Sequence, residues 1–336
     1  MKLLHLFFLC QFLIFPAFGQ NIPSPLTPQS IGFSHAQWPY KGDLVDILVQ
    51  SKPGDEEVKK PLFFFCQGSL AQPLIKYDTL GVYGVFPFSP DSLLNDYHLV
   101  IIGKPHVPLI AEKGTLKSDF TITDTAAYQR YSVRNYLDYY VDRNLAVISY
   151  LQKKPWVSKK ELVVAGHSEG STIAAKMASV SPKVTQVIYS GGNPVGRILS
   201  IIEQDRQRES YADSTHYGEE AFEYWQEVLD DRNNAEELSG DSPKTTYYFS
   251  VPSKDYLEKL KIPVLVSYGT KDYSTPFNDY LRAEMMRHDR KNFTFQAYVG
   301  TEHNFFPVLP DGSTDYTVYN WQRVADDWYA WLKKNR

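Results

Sequence analysis

The pentapeptide Gly166-His167-Ser168-Glu169-Gly170 lies between two stretches of different character. The apolar run at 162–165, Leu-Val-Val-Ala, precedes it and is typical of a buried strand, whereas the small residues at 171–178 favour a helix. The two glycines leave room for strand and helix to pass closely without Cβ clashes. The pattern predicts a sharp strand-turn-helix that lifts the Ser168 hydroxyl off the end of a sheet.

A serine hydroxyl is a weak nucleophile at neutral pH, so this interpretation requires a general base and a group that orients the base. Asp272 follows the apolar run at 264–268, and His303 follows the strand-like run at 293–299. Each residue comes just beyond the carboxyl end of a predicted strand, where open α/β sheets bind their ligands. The chain therefore offers the two required partners in the order Ser168, Asp272, His303.

That order, together with the elbow sequence, resembles the serine α/β-hydrolase superfamily from about Leu44 to the last helix. The resemblance implies an α/β-hydrolase fold, which is an α/β architecture with a mostly parallel central sheet flanked by helices. It also implies that Ser168 attacks an acyl carbonyl, that His303 takes and returns the proton, and that Asp272 holds the imidazole. The superfamily alone says little about the substrate.

Other residues compete for these roles or for places around them. Asp279 is a second candidate acid, but it lies at the start of a predicted helix, where an acid is commonly a solvated charge. His106 follows a strand end and is a candidate for lining the site. His167 is next to Ser168, so we expect its side chain to point away from the base and to be structural.

Acyl transfer also requires donors for the oxyanion that forms in the transition state. The backbone N–H of Glu169, the residue after the nucleophile, is expected to be one of them. The other is expected in the turn at 67–70, which resembles the family's His-Gly oxyanion loop with Gln67 in place of the histidine. We assign the amide of Ser69 as the second donor, with Leu70 as the alternative.

The chain has 336 residues and the composition of an ordinary globular protein. Its N-terminal sequence is typical of a secretory leader. Residues 1–19 combine Lys2, an apolar stretch and the small-x-small sequence Ala17-Phe18-Gly19, so a cleaved signal peptide is predicted, with a retained anchor as the alternative. Export through the secretory pathway follows, periplasmic or extracellular in a bacterium, with no stable membrane span after cleavage. Cys66 would then be the only cysteine, and we expect it to be buried and inert.

Four regions are predicted in all. After the signal peptide, residues 20–40 are expected to form an extended segment along the surface, and residues 41–190 with 261–336 the hydrolase core. Strand signals stop at 191–260, where amphipathic helix patterns indicate an inserted cap. We expect the cap to roof Ser168, with a dimerisation arm as the alternative. Aromatic residues in it hint at a bulky or cyclic substrate: Tyr211, Tyr217, Tyr247, Tyr248 and Phe249.

The elements of the core follow from apolar runs and helical spacing. A long helix is predicted over about 125–151, with Asp124 as its N-cap. A C-terminal helix is predicted from about Tyr316, and its apolar stripe is expected to pack on the sheet: Trp321, Val324, Trp328, Trp331 and Leu332. Seven strands are predicted near residues 44–50, 62–66, 98–103, 162–165, 184–190, 264–268 and 293–299.

Composition and motifs exclude several classes of protein. The formal net charge is −4 without a basic stripe, which argues against a nucleic-acid partner. Motifs for metals, phosphates and dinucleotides are lacking, so neither a metal nor a cofactor is expected. The leading hypothesis is an exported serine hydrolase that cleaves a small-molecule carboxylic ester, such as a bulky ester or a lactone, through an acyl-enzyme. The alternatives are a peptidase or thioesterase with the same triad, or a noncatalytic ligand-binding protein; the oligomeric state is not indicated.

Overall fold

The computed structural model describes residues 25–212 and 214–336, so the predicted leader at 1–19 lies outside the described residues. The strands are β1 Phe33–Tyr40, β2 Asp43–Gln50, β3 Lys60–Cys66, β4 Ile75–Asp78, β5 Gly81–Val82, β6 His98–Ile102, β7 Ile110–Glu112, β8 Val157–His167, β9 Gln186–Ser190, β10 Val264–Gly269 and β11 Phe293–Tyr298. The helices are α1 Asp91–Leu94, α2 Thr125–Arg134, α3 Leu137–Leu151, α4 Glu169–Val180, α5 Arg197–Arg208, α6 Tyr217–Asp230, α7 Pro243–Phe249, α8 Lys254–Leu257, α9 Thr275–Arg287 and α10 Trp321–Lys334. None of the helices in this part of the chain has the length and apolar character needed to cross a membrane.

Eight strands form the main sheet, in the order β1-β2-β6-β3-β8-β9-β10-β11, and β4, β5 and β7 form a small separate sheet. In the main sheet β1 and β2 run antiparallel to their neighbours, while the pairs from β6 to β11 are parallel. This confirms the predicted mostly parallel sheet and the α/β-hydrolase fold. All seven predicted strands lie in the main sheet.

The eighth strand, β1, falls within the stretch that was expected to be a surface segment. Residues 33–40 instead pair with β2 from Phe33 opposite Gln50 to Tyr40 opposite Asp43. The connecting residues Lys41 and Gly42 have φ angles of 47° and 88°, as in the tight turns that join hairpin strands. Residues 33–40 are thus extended, as expected, but their pairing with β2 at the edge of the sheet was not predicted, and the hairpin turn was the signal that could have revealed it.

Apolar layers cover both faces of the main sheet. Leu62 and Phe64 of β3 face one layer, with α3 and α4, while Phe63 and Phe65 face the other layer, with α10. This alternation is the period of two expected of a strand buried on both sides. The predicted stripe of α10 is buried in the second layer, although the helix begins at Trp321 rather than near Tyr316.

The predicted long helix at 125–151 is two helices. Asp124 caps the first, since its Oδ1 accepts hydrogen bonds from the N–H groups of Ala126 and Ala127 at 2.9 and 3.0 Å. The chain breaks at Asn135, whose carbonyl accepts a 2.6 Å hydrogen bond from Thr245 Oγ1 in α7. A contact with a distant segment thus replaces the helical hydrogen bonds lost at the break, and helical spacing alone does not reveal it.

Helices α5 to α8 lie between β9 and β10, in the stretch where strand signals stop. Ile198 and Ile202 of α5 pack against Ala221 of α6. In α6 the buried side chains include Ala221 and Val228, whereas Phe222 is 47% exposed and faces away from this contact.

Candidate active site

Ser168 occupies the turn between β8 and α4 with a backbone that few non-glycine residues adopt. Its φ and ψ angles are 58° and −127°. Such conformations cost about 1–3 kcal/mol and persist where the surroundings determine them. Here the Ser168 N–H donates to the carbonyl of Ser190 in β9 at 2.9 Å, and its own carbonyl accepts from the N–H of Ser171 at 3.0 Å. The neighbouring strand and the first turn of α4 therefore hold the serine in place.

The glycines around Ser168 permit close packing, as the sequence predicted. A Cβ on Gly166 would lie 2.0 Å from the carbonyl oxygen of Gly170, and a Cβ on Gly170 would lie 2.0 Å from that of Cys66. A Cβ on Gly68 would lie 3.8 Å from the Cβ of Ser168. The turn after β3 is therefore beside the serine.

The three residues predicted as a triad meet in one pocket. Ser168, Asp272 and His303 all line a pocket of about 410 Å³ at the carboxyl edge of the main sheet. His303 Nδ1 lies 2.7 Å from Asp272 Oδ2, and the N–H of Ser274 donates to Asp272 Oδ1 at 3.0 Å. Asp272 is thus a buried carboxylate with one oxygen on the imidazole and the other on the backbone.

The competing residues lie elsewhere. Asp279 accepts a 2.6 Å hydrogen bond from the hydroxyl of Tyr268 and does not line the pocket. His106 Nε2 lies 3.2 Å from Asp43 Oδ1, and the expectation that His106 lines the site is wrong. Cys66 is buried, and burial raises the pKa of its thiol to about 12, as expected of an inert cysteine.

His167 contacts the base, contrary to expectation. Its ring centroid is 4.8 Å from that of His303, which lies in the loop after β11. Phe305 of the same loop packs against His167 at 5.6 Å. Burial, with the neighbouring His303, lowers the pKa of His167 well below its ordinary value. A neutral buried ring therefore supports one side of the His303 imidazole.

The predicted oxyanion donors lie on the two segments that meet at the serine. In the described part of the chain, the N–H groups of Ser69, Leu70 and Glu169 donate to no backbone carbonyl. The carbonyl of Ser69 is held by the hydroxyl of Tyr131, which donates to it at 2.7 Å. This contact orients the turn and leaves its N–H groups available, without distinguishing Ser69 from Leu70.

Ser168 lies between two pockets of different size. The pocket of about 410 Å³ is bounded by residues of α5 and α7, such as Ile201 and Phe249. The second, of about 70 Å³, is bounded by the turn after β3 and by residues 84–87. Of the five aromatic residues from which a bulky substrate was inferred, only Phe249 lines either pocket. The prediction that the other four contact the substrate was therefore wrong.

A largely buried charge cluster, which the sequence analysis missed, borders the larger pocket. We define it as Lys104, Glu169, Arg197 and Asp241. Lys104 Nζ is 3.0 Å from Glu169 Oε1, Arg197 Nη2 is 2.5 Å from Glu169 Oε2, and Arg197 Nη1 also binds Asp241. Burial opposes the charge of Glu169, but Lys104 and Arg197 hold its pKa below the ordinary value. No spacing in the sequence signals the cluster, because its members come from four separate segments.

The pocket and its surroundings contain acids, histidines and amides, but no arrangement typical of a metal centre. Across residues 25–212 and 214–336, no group of three or more His, Cys, Asp or Glu side chains is placed to hold a metal ion. What the arrangement supplies is a serine, an imidazole with an oriented tautomer, and unpaired backbone donors. These are the parts of acyl transfer.

Solved structures with the same fold include esterases and peptidases. The chain is similar to Est1E from Butyrivibrio proteoclasticus, with 13% identity over 90% of this chain and 98% of that one and a TM-score of 0.51. It is also similar to a 2,6-dihydroxy-pseudo-oxynicotine hydrolase, with 14% identity over 92% of this chain and 71% of that one and a TM-score of 0.55. The Pyrococcus horikoshii acylaminoacyl peptidase matches over 81% of this chain at 13% identity and a TM-score of 0.52, but the match spans only 37% of the peptidase.

A family model supplies the more specific relationship. The model described as BAAT / Acyl-CoA thioester hydrolase C terminal matches residues 138–322, which is more than half of the chain and includes Ser168, Asp272 and His303. A comparison with curated protein sequences finds no match. The chain is a hydrolase of the serine α/β-hydrolase superfamily and belongs to the BAAT / acyl-CoA thioester hydrolase C-terminal family.

Proposed function

We propose that this protein cleaves a carboxylic ester of a small molecule through an acyl-enzyme intermediate on Ser168. One observation carries the proposal: the strained Ser168 shares a pocket with His303, whose Nδ1 lies 2.7 Å from the buried Asp272 carboxylate. That hydrogen bond favours the tautomer with the proton on Nδ1, which leaves Nε2 as the base.

The steps follow from these positions. Ser168 Oγ attacks the carbonyl carbon while His303 Nε2 takes the hydroxyl proton, and Asp272 stabilises the imidazolium that forms. The N–H groups of Ser69 and Glu169 donate to the oxyanion of the tetrahedral intermediate. When the intermediate collapses, Nε2 gives its proton to the departing alcohol. In the second half of the reaction, His303 Nε2 takes a proton from the water that attacks the acyl-enzyme. It then gives that proton to Ser168 Oγ as the ester bond to the serine breaks and the acid is released.

The volumes of the two pockets limit the size of the groups on either side of the substrate's carbonyl carbon. A carbonyl carbon at Ser168 has two substituents, so one extends into the pocket of about 410 Å³ and the other into the pocket of about 70 Å³. We infer that residues 191–260 act as a cap, because α5 and α7 form a wall of the larger pocket. A substrate with one short and one bulky side fits this arrangement.

Thioester cleavage is a second candidate, favoured by the description of the matching family model. The same triad performs it, with a thiolate in place of the alcohol as the leaving group. An acetyl thioester assayed beside the matching oxygen ester discriminates between the two, because their acyl parts are identical.

The test is hydrolysis of 4-nitrophenyl esters from acetate to decanoate, a bulky lactone and an acetyl thioester, by the wild type and Ser168→Ala in parallel. We expect turnover that disappears in the variant and falls with chain length once both pockets are filled. Turnover that persists in Ser168→Ala would remove the proposed nucleophile. If neither protein turns over any of these substrates and Ser168 resists acylating inhibitors, the noncatalytic hypothesis replaces this one.

We also infer that the protein is exported, from the leader-like sequence of residues 1–19. Expression of the full chain followed by sequencing of its N-terminus tests this. A mature protein that begins at Gln20 outside the cytoplasm supports export, and an intact N-terminus in the cytoplasm contradicts it.

A further inference from the structure

Four lysine or arginine residues are buried in the described part of the chain: Lys60, Lys76, Lys104 and Arg143. A buried charge requires a compensating group. Lys60 pairs with Asp55, and Lys104 pairs with Glu169. Arg143 has no carboxylate partner in this part of the chain, but it donates to the carbonyl of Gly103 at 3.0 Å, its guanidinium lies 5.0 Å from the Tyr140 ring centroid, and it lines neither pocket at Ser168.

Lys76 also lacks a carboxylate partner in the described chain, but unlike Arg143 it lines a pocket at Ser168. It lies on β4, forms no ion pair within residues 25–212 and 214–336, and Nζ donates to the carbonyl of Pro73 at 3.0 Å. An ammonium group has three donors, so this bond satisfies only part of its capacity. Burial lowers the pKa of Lys76 to about 8, which leaves it mostly protonated at neutral pH.

Lys76 lines the pocket of about 70 Å³ together with Ser168. The rest of the wall is mainly apolar, including Phe65, Leu74 and Phe86, and none of the described residues that line it is acidic. The polar side chains Gln67 and Gln72 each donate to a backbone carbonyl, of Ile102 and Asp119 respectively. Lys76 is therefore the one lysine or arginine among the lining residues, and it lacks a counterion.

We propose that the small pocket binds a carboxylate of the substrate, paired with Lys76 Nζ, a few bonds from the carbonyl that Ser168 attacks. This rests on the proposed function and narrows its substrate to short acidic esters. The pocket's volume limits the chain between carboxylate and carbonyl to a short one. A buried ion pair in an apolar wall gives strong discrimination between charged and neutral substrates, because a neutral substrate leaves the ammonium without a counterion.

The carboxylate can enter on either side of the ester, and two substrate pairs distinguish the sides. The acyl-side pair is 4-nitrophenyl hemisuccinate and 4-nitrophenyl butyrate, and the leaving-group pair is O-acetyl glycolate and propyl acetate. In each pair the readout is the ratio of kcat/KM for the charged over the neutral ester. The proteins are the wild type, Lys76→Met and Lys159→Met, which removes an exposed lysine.

We expect the ratio for one of the pairs to fall about tenfold or more in Lys76→Met, through KM more than kcat, and to stay unchanged in Lys159→Met. The responding pair assigns the side. Equal ratios in wild type and Lys76→Met for both pairs would overturn the proposal and make Lys76 a structural residue that holds the Pro73 carbonyl.

A binding measurement that needs no ester hydrolysis tests the carboxylate subsite separately from the proposed ester chemistry. Fluorophosphonate labelling of Ser168 is followed in the presence of succinate or of neutral succinamide. We expect succinate to slow labelling in the wild type but not in Lys76→Met. Labelling of the variant at the wild-type rate without succinate shows that its site is folded. Equal protection by both compounds, or in both proteins, contradicts the carboxylate subsite even if no ester is cleaved.

Discussion

Buried charges lie on both sides of Ser168, but they are balanced on one side only. On the side of the larger pocket, which Glu169 and Arg197 line, the two cations and two anions of the charge cluster neutralise each other in contacts that join the loop after β6, α4, α5 and the segment before α7. On the other side, Lys76 is buried beside the small pocket without a carboxylate partner in the described chain. A balanced set can be explained by structure alone, whereas an unbalanced cation costs free energy that a bound anion would recover.

The charge cluster has a clear structural task. Glu169 follows the nucleophile, Arg197 begins α5, and Lys104 also lies 3.4 Å from the carbonyl of Ser69. The cluster therefore ties the turn after β3, the elbow and the inserted helices together. Of the two predicted oxyanion donors, Glu169 is a member of the cluster and Ser69 is contacted by its Lys104.

The largest loss of activity is expected when the nucleophile or the base of the triad is replaced. Ser168→Ala and His303→Ala should each remove nearly all ester turnover, and the double variant should lose little more, because triad members act as a unit. Steady-state kinetics on the preferred 4-nitrophenyl ester measure this. Losses that multiply in the double variant would show that the two residues act independently.

Replacing the acid of the triad should have the next largest effect. Asp272→Asn should keep the fold and lower kcat by about four orders of magnitude, as in serine proteases, because an amide favours the wrong imidazole tautomer. Asp279→Asn is the matched control, since Asp279 bonds Tyr268 outside the pocket and its loss should leave kcat within about threefold. If Asp279→Asn were the more damaging change, the acid assignment would be wrong.

Breaking the balanced side should cost stability. Glu169→Gln removes the shared anion and leaves Lys104 and Arg197 less compensated, which should lower the free energy of unfolding by about 3–5 kcal/mol. Denaturant unfolding measures the loss. Glu219→Gln, which removes the anion of an exposed pair with Arg206, is the control and should leave the midpoint unchanged. Equal midpoints for the two variants would mean that the cluster contributes nothing to stability.

Replacing Lys76 should raise the free energy of unfolding at pH 7, whereas replacing Glu169 should lower it. Below pH 8 Lys76 is charged in both the folded and the unfolded chain, so folding includes the cost of burying it, about 3 kcal/mol for a pKa lowered from 10.5 to about 8. Lys76→Met should therefore be more stable than the wild type at pH 7. Between about pH 8 and 10.5 the folded lysine loses its proton first, so the stability of the wild type rises and the difference shrinks.

Unfolding of Lys76→Met and the wild type at pH 7 and pH 10 checks that prediction. Comparing the difference between the proteins cancels the titration of groups that both share. A variant less stable than the wild type at pH 7 would mean that the Pro73 contact outweighs the burial cost.

The sequence revealed the catalytic constellation better than its surroundings. Ser168, Asp272 and His303 each follow a strand, and the carboxyl ends of parallel strands meet at one edge, so local pattern and topology were sufficient to bring them together. The contact of His167 with the base depends on how the loop after β11 folds back. Such a return is set by tertiary packing, which a single sequence does not display.

The charged groups around the site were beyond sequence reasoning for a similar reason. Lys104 and Lys76 look like ordinary surface lysines in the sequence, and only the fold shows that both are buried and that Lys76 lacks a carboxylate partner in the described chain. The break at Asn135 likewise depends on Thr245, more than a hundred residues away. Local periodicity predicts elements, but not which polar groups they bring together.

The most direct test of the central claim is fluorophosphonate labelling of the wild-type protein, with the modified residue located by mass spectrometry and Ser168→Ala as control. An activated serine should be labelled rapidly and stoichiometrically at Ser168 alone, and the variant should remain unlabelled. Labelling at another residue, or none in a folded protein that also fails to cleave esters, would contradict the claim that Ser168 is the nucleophile of a serine hydrolase.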